Sequence, residues 1–469
     1  MLFNSVEFLF LFLPVVLCIY SLLKVNTSSD TTKVWLIFAS LFFYAWWEVD
    51  YLAIILLSIF GNYLISWAIN YFKNKPVLVF GLIFNLIPLL YYKYSYFVLN
   101  NVSLLSGRDF NFEKVILPLA ISFFTFQQIA YLVDVYRSEK TLRYKFIDYF
   151  LFVTFFPQLI AGPIVHHYQL IHQFNNKSKV FHDKLGPGFI LFCIGLFKKV
   201  VIADSLSVYA NLAFDTHVGS LSLMDAWVGT ASYTLQLYFD FSGYADMALG
   251  IAMMFNIVLP INFNSPYKST SIKDFWSRWH ITLSHWLRDY IYIPLGGNRN
   301  KTTRNVLITF ILGGIWHGAG WGFIVWGGIH GVSLTICNLW SRLGVRIPTL
   351  ISWAITLFVV HIGWVFFRAE SLQKSVSVLK SMFFLQENQV SVLSYNAEIV
   401  SYNSLILIVL FFLVSVVFPN SNQILKKYLD DTPRSLLING KLFIFGVLFG
   451  LSTVMLLSTE HQEFLYFNF

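Results

Sequence analysis

Long apolar segments recur along the whole chain, and this feature limits what it can fold into more than any other. They lie near residues 6–23, 34–47, 51–71, 77–99, 115–135, 146–165, 186–203, 223–239, 305–325, 350–367, 403–418 and 440–457. A helix needs about 20 mainly apolar residues to cross a bilayer, where its backbone groups find no partners except one another. With 246–262 and 326–340 counted as re-entrant or buried helices, the chain reads as an all-α polytopic membrane protein of about 11–13 transmembrane or re-entrant helices. The residue balance agrees: 57% are hydrophobic and 12% charged, against about 25% charged in an ordinary soluble domain. The length of 469 residues would make about three soluble domains. Because the apolar segments run from end to end, a single membrane domain over 1–469 is predicted instead.

The first segment, "FLFLFLPVVLCIYSLL", follows Glu7 with no basic stretch before it and no small-residue cleavage site after it. It is expected to be a retained helix, not a leader. Cys18, Cys193 and Cys337 stand singly in apolar surroundings and read as small buried hydrophobes. Without a CxxC pair or an HExxH helix, no metal site is expected. The formal charge of +8 is explained by the excess of Lys and Arg in cytoplasmic loops, and no nucleic-acid partner is implied. Neither a Walker A nor a GxGxxG pattern occurs, which excludes a nucleotide hydrolase.

Residues 264–304 form the longest polar stretch between apolar segments. Lys268, Lys273, Arg278, Arg288, Arg299, Lys301 and Arg304 face only Asp274 and Asp289 there, which predicts a cytoplasmic side. Within it Phe275, Trp279, Leu283, Trp286, Leu287 and Tyr290 recur at helical spacing, as in one amphipathic helix at the membrane surface. The stretch near 420–439 reads as a loop.

Four features bear on chemistry. The first is His317 in "IWHGAGW": flanking glycines let backbones pack closely or leave room for a ligand, so the imidazole is either a packing element or a general base. The second is His280, 37 residues upstream (317 − 280), a distance that one amphipathic helix and a short loop could span to bring both rings to one cavity. The third is "QLYFDFSGYADMALG" over 236–250, where Asp240 and Asp246 flank Ser242, Gly243 and Tyr244. Carboxylates at membrane depth imply a cavity or a polar partner; the alternative is capping around a helix break at Ser242–Gly243. The fourth is the basic 264–304 stretch with "LGGNRN", which either holds phosphates or merely sets topology. His330 and His361 lie in apolar runs and are further cavity candidates. His166, His167, His172 and His182 read as solvated loop residues, His285 as part of the amphipathic helix, and His217 and His461 as lying in polar surroundings.

Taken together, "DFWSRWHITLSHWLRDYIYIPLGGNR" and "LGGIWHGAGWGFIVWGGIHG" resemble the membrane-bound O-acyltransferase family, in its polysaccharide-acetylating branch. "MLFNSVEFLFLFLP", "FYAWW" (43–47), "ILPLAISFFTFQQIAYLVDVYR" (116–137), "FPQLIAGPI" (156–164), "QLYFDFSGYADMALG", "GWVFFRAESL" and "EFLYFNF" fit that branch in order, so the resemblance covers nearly the whole chain. It implies helices around a central cavity open to both faces of an inner membrane, with the catalytic motifs over 264–340. It also implies acetyl-coenzyme A as a donor substrate with no bound cofactor. The acceptor would be an extracytoplasmic polysaccharide (alginate, peptidoglycan or another cell-surface glycan), reached through a periplasmic or membrane-anchored partner.

The family's invariant histidine matches His317 and its second polar position matches His280, so these two are the expected catalytic residues. Trp279, Arg278, Arg288, Asp240, Ser242, Tyr244, Asp246, Trp316 and His330 are the expected substrate- or donor-binding residues. Many spans with buried polar residues would equally suit a transporter or flippase for a glycan precursor or acetyl donor. That alternative is separable by experiment, because a transporter should survive His317→Ala.

Overall fold

The computed structural model describes residues 1–108, 113, 115–160, 162–175, 182–215, 221–383, 396, 398–431, 441–458 and 465. His217, His461, most of "EFLYFNF" and the side chain of His182 lie outside the described residues. Helices account for nearly all the regular structure, and no strand occurs among the described residues. In order they are α1 (Phe8–Asn26), α2 (Ser29–Ala45), α3 (Tyr51–Phe72), α4 (Lys75–Ser106), α5 (Ile121–Arg137), α6 (Phe146–Thr154) and α7 (His167–Phe174). There follow α8 (Leu185–Asp215), α9 (Leu223–Met254), α10 (Ile272–Trp276), α11 (Ile281–Leu287), α12 (Thr302–His317) and α13 (Trp321–Leu343). The last are α14 (Thr349–Arg368), α15 (Leu372–Met382), α16 (Tyr402–Val416), α17 (Ser421–Asp431) and α18 (Lys441–Ser458).

The chain is an all-α polytopic membrane protein. Among the described residues six helices, α1, α3, α4, α8, α13 and α14, are long and apolar enough to cross a bilayer, and α16 with α17 makes a seventh if the pair, bent by 55°, is one span. The other expected segments are helical too, but they are shorter or carry buried polar residues.

Cys18, expected to be a buried hydrophobe, is exposed, and Cys337 is half-buried. Four expectations about the helices also need correction. Residues 246–262 do not form a separate re-entrant helix: α9 runs unbroken through Ser242–Gly243 to Met254. Its glycines serve close approach instead. A Cβ on Gly243 would lie 2.8 Å from the Gly195 carbonyl, and one on Gly250 2.6 Å from the Gly188 carbonyl. The stretch 326–340 belongs to α13, and the break before it falls at Gly318–Gly320, seven residues earlier than the hydropathy suggests. The single amphipathic helix of 264–304 is split into α10 and α11. The expected loop at 420–439 begins as helix α17.

The chain divides into two compact units, each built from discontinuous segments. The first comprises Met1–Cys193 with Tyr244–Pro260. In it Lys73 takes the left-handed conformation after α3, and Asn74 caps α4 by accepting from the Val77 N–H. Asn62 and Asn85 exchange side-chain amide hydrogen bonds of 3.0 and 2.6 Å between α3 and α4. Such bonds join helices in an environment where apolar surface alone gives no net drive to associate. Lys33 is buried against Asp148 at 2.5 Å. His166 and His167, expected to be solvated, are buried, and His167 reaches the Tyr144 hydroxyl through Nδ1 (2.9 Å) and Asp134 through Nε2 (3.2 Å).

The second unit comprises Ile194–Gly243 with Ile261–Phe469 and contains both expected catalytic histidines. There α12 and α13 pack closely because Gly314 and Gly327 have no side chains. A Cβ on either would collide with a carbonyl oxygen, of Phe323 or of Phe310.

Candidate active site

The segment from Asn262 to Leu287 is built around a turn that hydropathy cannot predict. Helix α10 opens at Ser271, whose hydroxyl accepts from the Asp274 N–H, and it closes after five residues. Helix α11 begins only after His280, which has φ of 42° and ψ of 54°. A non-glycine residue in that left-handed region costs roughly 1–3 kcal/mol, so its surroundings must hold it there. Asn262 supplies the hold. Its carbonyl accepts from the Ile281 N–H (3.0 Å), and its side-chain Oδ1 accepts from the Thr282 N–H (3.2 Å) and hydroxyl (3.0 Å).

The same Oδ1 lies 3.1 Å from His280 Nδ1. An oxygen that already accepts from a backbone N–H can only accept again, so Nδ1 carries the ring hydrogen and Nε2 is the acceptor side. His280 is fully buried, and desolvation pushes its imidazole down to about 3, which keeps it neutral. Phe241 from α9 packs edge-on against it at 4.8 Å between ring centroids.

His317 is the last residue of α12, where the chain turns extended at Gly318. Its ring lies 6.5 Å from that of His280, centroid to centroid, so the two expected catalytic residues meet. Around it stand Trp316 (5.0 Å), Trp326 (5.0 Å) and Phe367 (5.1 Å), and His317 is 3% exposed. A site walled by aromatic rings excludes water and strengthens whatever electrostatic interaction forms inside it.

The other expected site residues separate into groups. Trp316 lies against both histidines. Trp279 is buried, stacked on Phe275 and tilted against Trp364. His330 is fully buried, and its Nδ1 accepts from the Trp276 indole N–H at 3.2 Å, so it braces the aromatic wall. Arg278 and Arg288 are turned to neighbouring carboxylates, Asp274 and Asp289, at 2.8 and 2.7 Å. Asp240 takes a polar partner: with Asp204 it flanks the buried Lys199, both at 2.7 Å. Ser242 is buried within α9, and Tyr244 and Asp246 fall in the first unit, where Tyr244 stacks on Phe3.

Sequence reasoning missed Asn262, Phe241, Trp276, Trp326 and Phe367. The only signal for Asn262 was an asparagine-rich stretch between Pro260 and Pro266.

Fold and site together define a polytopic α-helical membrane protein with two neighbouring histidines buried in an aromatic enclosure. The model of the MBOAT, membrane-bound O-acyltransferase family, matches residues 137–379, and the chain belongs to that family. It is 40% identical to a peptidoglycan O-acetyltransferase of Helicobacter pylori, over 100% of this chain and 98% of that protein. It is 42% identical to a probable alginate O-acetylase, AlgI, of Pseudomonas aeruginosa, over 84% of this chain and 77% of that protein. A teichoic acid D-alanyltransferase of Bacillus subtilis is 29% identical over 54% of this chain and 69% of its own length.

Proposed function

We propose that this chain, acting as one membrane domain, is an inner-membrane O-acetyltransferase. It carries acetyl from cytoplasmic acetyl-coenzyme A to a hydroxyl on the far side, for O-acetylation of a cell-surface glycan through a periplasmic or membrane-anchored partner. The observation that carries the reading is the 6.5 Å juxtaposition of His317 and His280 inside an aromatic enclosure, in a chain of the membrane-bound O-acyltransferase family. Correspondence with the peptidoglycan O-acetyltransferase along the full length of both chains favours peptidoglycan as the glycan. Alginate is the second reading, resting on a slightly higher identity over a smaller share.

In this mechanism His317 takes the proton of the acceptor hydroxyl as its oxygen attacks the thioester carbonyl. The new C–O bond forms, the C–S bond breaks, and coenzyme A leaves as the thiol after receiving that proton. Neutral His280, with Nδ1–H committed to Asn262, presents the Nε2 lone pair and orients the donor by accepting a hydrogen bond. The basic residues of 264–304 meet the donor's phosphates.

The test uses purified protein with radiolabelled acetyl-coenzyme A, wild type beside His317→Ala, and follows release of free coenzyme A with and without a soluble hydroxyl acceptor. Turnover in the wild type should fall about 10²–10⁴-fold in the variant, the usual contribution of a general base. Absence of coenzyme A binding by the wild type would overturn the donor assignment. Equal turnover in both proteins would overturn the role of His317.

A further inference from the structure

A second cavity in the same unit has no part in the acetyl-transfer mechanism. It encloses about 300 Å³ and is lined mainly by Trp227, Ala354, Leu357, Phe358, Ile408 and Phe412. Small-molecule sites begin at about that size. Its walls come from α9, α14 and α16, and α14 is one of the candidate membrane spans. Ala354, Leu357, Phe358 and His361 fall on one face of α14, eight residues end to end, or about 10 Å of helix. Phe358, at 45% exposure, and Ala354 are open to the surroundings, whereas His361 is buried at 8%. The cavity is therefore mainly apolar, opens along a membrane-facing helix, and has the buried His361 imidazole as a polar group in its wall.

That group is held in a definite orientation. The His361 ring lies parallel to the Trp227 indole at 5.4 Å, with 2° between the planes, and its Nδ1 is 2.8 Å from the Thr234 hydroxyl. The Tyr267 hydroxyl donates to the Thr234 carbonyl at 2.6 Å, which fixes this turn of α9. One face and one nitrogen of the imidazole are thus occupied, and the buried Nε2 has no hydrogen-bond partner among the described residues. A wholly apolar pocket would not need a histidine, and a buried polar nitrogen without a partner is costly.

We propose that this cavity binds one alkyl chain of an amphiphile whose ester or carboxyl oxygen accepts a hydrogen bond from His361 Nε2. In this assignment Thr234 donates into Nδ1 and the ring hydrogen sits on Nε2. The chain runs out past Leu357 to Ala354 and Phe358, where α14 meets lipid. An apolar cavity of this size excludes water, and only an apolar occupant restores the contacts its walls would otherwise forfeit. The chemistry fits an acyl chain of a membrane phospholipid and a free fatty acid alike.

The experiment places the full-length protein in nanodiscs of phosphatidylethanolamine and phosphatidylglycerol. These contain a trace of a phospholipid with a diazirine on one acyl chain or, in a parallel arm, the free fatty acid carrying the same group. After irradiation, labelled peptides are mapped and compared with those bearing Leu57 and Leu64, exposed apolar positions on α3 that report ordinary contact with lipid. The proposal expects saturable labelling of the peptides bearing Leu357 and Ile408, together with non-saturable labelling of α3. Leu357→Trp, which fills the cavity, should abolish the saturable part and leave α3 unchanged. His361→Phe keeps the ring but removes the donor, and should weaken occupancy about fivefold, as expected for one neutral hydrogen bond. Labelling by the phospholipid alone would identify the bilayer as the source, and labelling by the free acid alone would identify unesterified fatty acid. Labelling at Leu357 that does not saturate in either arm, or that persists in Leu357→Trp, would overturn the proposal.

Discussion

Asn262 Oδ1 lies 3.1 Å from His280 Nδ1 while also accepting from the Thr282 N–H and hydroxyl, so one side chain sets both the turn and the tautomer of the neighbouring histidine. His280 thereby keeps Nε2 as its acceptor nitrogen, and the His317 ring lies 6.5 Å away, centroid to centroid. In the proposed reaction that arrangement separates the two imidazoles by role.

Removing the acceptor should disturb the reaction as well as the turn it holds. In Asn262→Ala the Nδ1–H loses its partner and the ring is free to take the other tautomer, so kcat is expected to fall roughly tenfold or more, the cost of one buried hydrogen bond. KM for the donor should change as well, because His280 no longer orients it. Asn262→Asp keeps an oxygen at the same place and should recover part of both. Kinetic constants for the two variants side by side check this, and equal losses would show that the role of Asn262 is not tautomer control.

Stability should fall on mild acidification. The folded His280 imidazole is pushed down to about 3 from an ordinary 6.5. Between those values the unfolded chain binds a proton that the folded chain does not, so stability is fully present above 6.5 and is lost as pH falls below it. Each unit in that window costs about 1.4 kcal/mol at this site. The thermal midpoint of purified protein should decline from pH 7 to pH 5, and less steeply in His280→Asn. Parallel slopes would show that another group is responsible.

The buried cluster of Lys199, Asp204 and Asp240 should respond unevenly to its two simplest changes. Lys199→Met leaves two carboxylates without their cation and should cost about 3–5 kcal/mol, as breaking a buried ion pair does. Asp240→Asn leaves Lys199 still paired with Asp204 at 2.7 Å and should cost less. Thermal unfolding in one detergent ranks the two, and the reverse order would contradict the pairing described.

Close packing of α12 on α13 makes Gly327 intolerant of even one carbon. A Cβ there meets the Phe310 carbonyl, and overpacking of this kind costs about 1–3 kcal/mol. Gly328 is its control, because a Cβ there has no atom within 4 Å. Gly327→Ala should lower the thermal midpoint while Gly328→Ala leaves it unchanged or raises it.

The segments that sequence located best were those where one physical force decides the outcome. Apolar length marked α1, α3, α4, α8 and α14, because lipid permits only helix there. It failed where two forces compete. At Ser242–Gly243 a small-residue pair between aspartates suggested a break, yet in α9 the glycine serves close helix approach. At His280 the hydrophobic period ran straight through a left-handed turn, because that turn is specified by Asn262, eighteen residues earlier in the chain. The meeting of His280 and His317 was legible as a motif resemblance, and the aromatic wall was not. Trp276, Trp326 and Phe367 look like ordinary core residues until the helices that carry them are placed.

The left-handed turn also acts as a filter on mutational drift. Asparagine and glycine, and aspartate to a lesser degree, enter that backbone region at small cost, whereas β-branched residues do so only with strain. A library randomised at position 280 would therefore be sorted twice, first by whether the chain can bend there and then by whether the new side chain can serve chemistry. Asparagine passes the first sieve with a side chain that still accepts a hydrogen bond, which makes His280→Asn the neighbouring sequence from which altered acyl-transfer behaviour is most accessible. Valine or isoleucine would be disfavoured at the backbone before its chemistry was ever tested.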